Sequence, residues 1–143
     1  MRKAGNVKVI LLILMVLWVV VARLLTGCSM GKDTEEKVRD LEISVVGDAE
    51  LPEELRNIIA EKKAQPFKLT YSDDKNLYIV VGYGSQDTGG YSISVEELYL
   101  TENSIVIDTE LTGPEKGETP APETSYPYVV VKTEYLENTV VFQ

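Results

Sequence analysis

Residues 9–22 are apolar without a break, rich in Leu and Val with Trp18 among them, and no later stretch repeats that pattern. Such a run makes roughly 21 Å of helix at about 1.5 Å per residue, against about 30 Å of hydrocarbon in a bilayer. Its length therefore favours the apolar region of a signal peptide over a full span. From Leu41 the periodicity changes. Leu41-Glu42-Ile43-Ser44-Val45 alternates and predicts an opening strand. Leu55, Ile58 and Ile59 share one face of a short helix that Pro52 starts, with Leu51 as a contact at its beginning. Glu53 and Glu54 in its first turn and Lys62 and Lys63 in its last complement the helix dipole. Pro66 follows its end.

Beyond Pro66 the pattern is that of strands. Phe67, Leu69 and Tyr71 alternate with polar residues, and Asp73-Asp74-Lys75-Asn76 reads as a turn. Leu77-Tyr78-Ile79-Val80-Val81 is apolar on both faces, which predicts a central strand. Tyr91, Ile93 and Val95 alternate, and the apolar phase then slips to Leu98 and Leu100. A β-bulge at Glu96-Glu97 absorbs that slip. A tight turn at Glu102-Asn103 brings Ile105, Ile107, Thr109 and Leu111 back as a hairpin partner. Residues 113–125 have no periodicity and predict a long exposed loop. Tyr128-Val129-Val130-Val131 is a second two-sided strand. After a turn at Asn138, Val140-Val141-Phe142 makes a final short one. The expected fold is mainly β: a small antiparallel β-sandwich or partly closed barrel with one short α-helix at an edge or end, preceded by an N-terminal signal or anchor helix.

Arg2, Lys3 and Lys8 make the region before the apolar run positive, and Cys28 is the only cysteine of the chain. Leu25-Thr26-Gly27-Cys28 resembles a bacterial lipobox. The resemblance implies a lipid thioether on Cys28 and cleavage just before it. The chain then divides into a signal peptide over 1–27, a flexible tether over 28–40 and a β-rich domain over 41–143. Diacylglycerol on the sulfur supplies the two chains that stable anchoring requires. Arg23 departs from the usual uncharged approach to a lipobox. The alternative is an uncleaved anchor over 7–25, with Lys8 and Arg23 reaching opposite interfaces. Under either reading the positive-inside rule places the rest of the chain on the extracytoplasmic face of a cell membrane.

Residues 28–143 hold all 23 acidic residues and 10 of the 14 basic ones, a formal charge of −13. That charge argues against nucleic acid and anionic headgroups as partners. The chain has no His, and no Cys follows Cys28, which removes Cys/His zinc sites, Ser-His-Asp triads and Cys-His dyads. Asp73-Asp74-Lys75-Asn76 lacks the spacing and closing Glu of a calcium loop. Gly82-Tyr83-Gly84 precedes no helix signal and no Lys-Ser/Thr, so it is not a phosphate loop. The expectation is a non-enzymatic domain with no catalytic residue, metal, cofactor or small-molecule substrate.

Two segments carry a resemblance. One is Gly82-Tyr83-Gly84-Ser85-Gln86-Asp87-Thr88-Gly89-Gly90-Tyr91-Ser92-Ile93, the other Tyr126-Pro127-Tyr128-Val129-Val130-Val131-Lys132. Their order and spacing resemble the C-terminal domain of the PrcB-like family over roughly residues 75–135. These are bacterial lipoproteins that belong to a surface protease complex. The resemblance marks Tyr91, Tyr126, Pro127, Tyr128 and Lys132 as motif positions and implies association with an exported protease or another envelope protein, without catalysis. Asp87-Thr88-Gly89-Gly90 is the candidate protein-binding loop, because glycine lets a partner's backbone come close. The same residues also suffice as a plain connection between strands, and Tyr126-Pro127-Tyr128 suffices to set the start of one. Thr88-Gly89-Gly90-Tyr91 further resembles the Thr-Thr-Gly-Tyr loop of chagasin-type inhibitors of cysteine proteases, which are immunoglobulin-like sandwiches, with Gly89 in place of the second Thr. The alternatives to a stabilising subunit are accordingly an inhibitor of that type, or a structural or sensor module of the envelope with no protease partner.

Overall fold

The computed structural model describes residues 3–24 and 35–143. The lipobox Leu25, Thr26, Gly27 and Cys28 lies outside the described residues, as does most of the expected tether. The chain falls into two units, residues 1–34 and 35–143. In the first, helix α1 runs Lys3–Leu24 and takes in the whole apolar run. Every described side chain from Val9 to Leu17 is apolar and more than half exposed. Among the described residues no helix is long and apolar enough to cross a membrane.

The second unit contains eight strands: β1 Lys37–Asp40, β2 Ser44–Val45, β3 Pro66–Ser72, β4 Asn76–Tyr83, β5 Ser92–Thr101, β6 Ser104–Thr112, β7 Tyr128–Glu134 and β8 Thr139–Phe142. Helix α2, Glu53–Lys62, lies between β2 and β3. The strands form two sheets of four, ordered β1-β5-β6-β8 and β2-β7-β4-β3. The fold is mainly β and fits a β-sandwich; neither sheet closes into a barrel.

The two-sided strands have a direct explanation. In β4, Leu77, Ile79 and Val81 face the other sheet and pack with Leu98, Ile105, Ile107, Val129 and Val131. Tyr78 and Val80 point the opposite way, where with Val130 they meet Leu55 and Ile59 of α2, Leu51 and Val46. The second sheet is therefore covered on both faces, by the first sheet and by α2, so its two central strands must be apolar at successive positions. The helix lies on a sheet face rather than at the expected edge or end. Its three apolar residues form a stripe that only a face can bury, and Leu55 and Ile59 are 0% and 2% exposed. Pro52 precedes the helix as its cap residue, and its carbonyl accepts from the Arg56 amide at 3.0 Å.

Three further expectations are corrected. The second unit begins at Glu35, not Leu41, because β1 occupies 37–40 and pairs with β5. Its sequence, Lys-Val-Arg-Asp, carries no hydrophobic signal, and Val38 is 62% exposed. Backbone pairing, not burial, holds it. The alternating stretch 41–45 does not put one face inward: Leu41 is buried, while Ile43 and Val45 are exposed and Val46 is buried instead. Only Ser44 and Val45 are strand, paired with Lys132 and Val131. Finally, β8 runs parallel to β6. It starts beside Ser104 after the short connection 135–138, which takes the chain from the end of β7 in one sheet to the bottom of the other. The expected bulge is present, between Val95 and Glu97.

Candidate functional site

The connection from β4 to β5 carries the chain from one sheet to the other, and so does the one from β6 to β7. Both lie at the same end of the sandwich, since β4 and β6 finish there and β5 and β7 start there. The ladder between β4 and β7 ends at Gly82 opposite Tyr128, yet pairing continues into the loops. The Tyr83 amide donates to the Pro127 carbonyl at 3.0 Å. Gln86 and Ser125 exchange both backbone bonds, at 2.8 and 3.0 Å. The Ser125 hydroxyl donates to the Thr88 carbonyl at 2.7 Å, and the Gly89 amide to the Ala121 carbonyl at 3.0 Å. The loop 84–91 is thus zipped to the stretch 121–127 by successive rungs.

Local residue choices make this possible. Gly90 has φ +83°, a left-handed conformation that glycine adopts without the Cβ penalty. A Cβ there would come 3.1 Å from Pro114 Cγ, so the long loop folds back over it. Gly84 has φ +76° and sits against the Pro66 ring and backbone. Gly113 lies beneath Tyr91, whose Cε1 would stand 3.4 Å from a Cβ at that position. Tyr91 is half-buried as a lid over that glycine; it precedes β5 and belongs to neither core cluster. Just inside the loops, the Tyr83 hydroxyl donates to the Thr109 carbonyl at 2.8 Å and ties the two sheets together.

Of the residues singled out in the sequence, Asp87, Thr88, Gly89, Gly90, Tyr91, Tyr126 and Pro127 all belong to this end. Tyr126 is 38% exposed, with Lys63 Nζ 5.2 Å from its ring centroid. Tyr128 starts β7 on the α2 side. Its hydroxyl donates to the Asp48 carboxylate, and burial together with that bond pushes its pKa up to about 12. Lys132 is not part of the loop site. It lies four residues along β7, about 13 Å away, opposite Ser44 and Tyr78. Gln86, Ala121, Ser125 and Lys63 complete this end, and no motif in the sequence marks the part they play. Backbone groups do most of the pairing, and these carry no side-chain signature. The cation over Tyr126 comes from the end of α2, more than sixty residues earlier.

Comparison with known proteins bears on the same region. Residues 77–134 match the family model described as PrcB C-terminal. That segment comprises β4, β5, β6 and β7, the two central strands of each sheet, with both zipped loops between them. The edge strands and α2 lie outside it. No curated protein and no solved structure matches the chain.

Proposed function

We propose that this chain, PrcB-like through the centre of both sheets, is a lipid-anchored, non-enzymatic protein-binding domain on the extracytoplasmic face of a bacterial membrane. Its partner is an exported protease, which it holds in a stable or mature form. The observation that carries the reading is the meeting of the two PrcB-like segments: separated by the whole β5–β6 hairpin, they join in one cross-bonded loop pair. A loop fixed by backbone rungs loses little freedom on binding, which favours affinity. The anchor rests on the lipobox and on the exposed apolar residues of α1.

The test is crosslinking in intact cells, followed by identification of what co-purifies with the full chain and with an Asp87→Lys, Thr88→Lys double variant. Neither side chain has a hydrogen bond within the described residues, so the fold is retained, as thermal melting checks. The expected result is recovery of a secreted protease that falls about tenfold in the variant, the effect of roughly 1.4 kcal/mol. Unchanged recovery at unchanged melting removes the loop from the interface. A protease that becomes more active, rather than shorter-lived, when the domain is deleted replaces stabilisation by inhibition. Intact mass showing no lipid and an uncut N-terminus replaces the lipid by a helical anchor.

A further inference from the structure

Lys132, the motif residue left over from the loop site, lies at the opposite end of the sandwich. There it lines a cleft of about 490 Å³ together with Arg39 and Lys75. The three cations come from separate elements: Arg39 from β1, Lys75 from the β3–β4 turn and Lys132 from β7. Ser44, Asn76 and Thr133 add hydroxyl and amide groups to the walls, and Glu42 and Glu134 are the two carboxylates. Glu134 is engaged by Arg39, Nη2 to Oε1 at 2.6 Å. Among the described residues neither Lys75 nor Lys132 forms an ion pair. The cleft therefore holds three cations to two anions, in a unit where 9 basic residues face 22 acidic ones over 35–143. Its local sign is opposite to that of the whole.

This is also the end where the chain enters the folded unit. Lys37 of β1 pairs with Thr101, at the bottom of β5. Glu35 just before it accepts hydrogen bonds from Ser104 Oγ at 2.7 Å, Asn103 Nδ2 at 3.1 Å and the Thr101 hydroxyl. Residues 28–34 span at most about 25 Å fully extended. If Cys28 is anchored, as proposed above and on which this inference rests, Glu35 stands within that reach of a bilayer surface, and the cleft lies at the same end of the unit. We propose that the Arg39–Lys75–Lys132 cleft binds a phosphate group, supplied by the headgroup of an anionic phospholipid. Two ammonium groups, a guanidinium fork and neutral donors suit an anion with several oxygens. Headgroup binding in this cleft holds that end of the domain to the lipid, despite the carboxylates around it and a net charge that repels such lipids, and turns the zipped loops outward.

The test uses the full chain in nanodiscs of phosphatidylcholine alone or with phosphatidylglycerol, and acetylates its lysines briefly before mass spectrometry. Lys63 and Lys116, which belong to other parts of the unit, are internal references. The expected result is at least threefold slower acetylation of Lys75 and Lys132, relative to those references, in the anionic discs. Lys132→Gln should abolish the protection of Lys75, and added salt should weaken it. The same protection by inorganic phosphate in neutral discs, without any from phosphatidylglycerol, overturns the lipid source and leaves a site for free phosphate. No selective protection in either arm, or equal slowing of all four lysines, overturns the site. Failure of the chain to remain with neutral discs counts against the anchor instead, and the phosphate arm still tests the cleft.

Discussion

Gly82 has no room for a side chain. A Cβ there would lie 2.2 Å from Phe67 Cε1 and 2.5 Å from Cδ1, because the Phe67 ring lies flat over this position of β4. Gly82→Ala should destabilise the domain by about 1–3 kcal/mol through overpacking, measured by urea unfolding, and should cost much less in a Phe67→Ala background, where the ring is gone. Tyr128 supplies a pH test at the same scale. Its folded pKa, about 12, lies above the ordinary value of 10.0, so folding favours the protonated phenol. The contribution is complete below pH about 10 and is lost as pH rises through about 12. Tyr128→Phe should flatten the decline of stability over that window, and ultraviolet titration should lose its last-ionising tyrosine. Tyr71 and Tyr78 are raised as well, the first by its bond to Glu54, the second chiefly by burial, so part of the slope should remain. The tyrosines were visible in the sequence as apolar-phase residues; their hydroxyl partners, drawn from distant segments, were not.

At the scale of elements, legibility followed burial. The strands and the helix that contribute to either core announced themselves through periodicity, and the bulge through its phase slip. Strand β1 and the start of the unit did not, because Glu35 and residues 37–40 are held by hydrogen bonds between polar groups. Those bonds can be tested. The Thr101, Ser104 and Asn103 side chains stabilise the Glu35 carboxylate and hold its pKa below the ordinary value of 4.5. A depressed carboxyl contributes stability that is present above the unfolded pKa and fades as pH falls through the folded one. The protection of the Lys37–Asp40 amides against hydrogen exchange, relative to their intrinsic rates, should therefore fall selectively as the pH falls below about 4, and Glu35→Ala should lower it already at neutral pH. Helix α2 offers the contrasting case of an element held by burial. Leu55→Ala removes a fully buried side chain from between α2 and the β4–β7 pair and should cost about 2–5 kcal/mol in chemical unfolding.

At the scale of the molecule, the sandwich could be expected from strand count and pattern, whereas its layering could not. That α2 covers one sheet face follows from the doubled apolar faces of β4 and β7 only when both are known to be neighbours in one sheet. The loop site was half legible: glycines and a Tyr-Pro-Tyr stretch marked its two sides, but nothing local to either says that they touch. The charge of the unit has its own consequence. With 22 acidic residues against 9 basic ones over 35–143, the folded state repels itself, and screening should relieve this. Melting temperature should rise between about 10 and 200 mM sodium chloride; a fall would mean that the few ion pairs outweigh the repulsion.

The opposite placement of the two ends of this unit has a mechanical meaning. Strand β1 leaves residue 35 at the base, and its neighbour β5 receives the chain from the zipped loops at the far end. A force pulling residue 35 one way and the loops the other slides β1 along β5 instead of peeling it away. The bonds between the two strands, and those of the Glu35 carboxylate beside them, must then yield nearly together instead of one after another. A short polar edge strand thereby becomes a grip that resists tension along its own length.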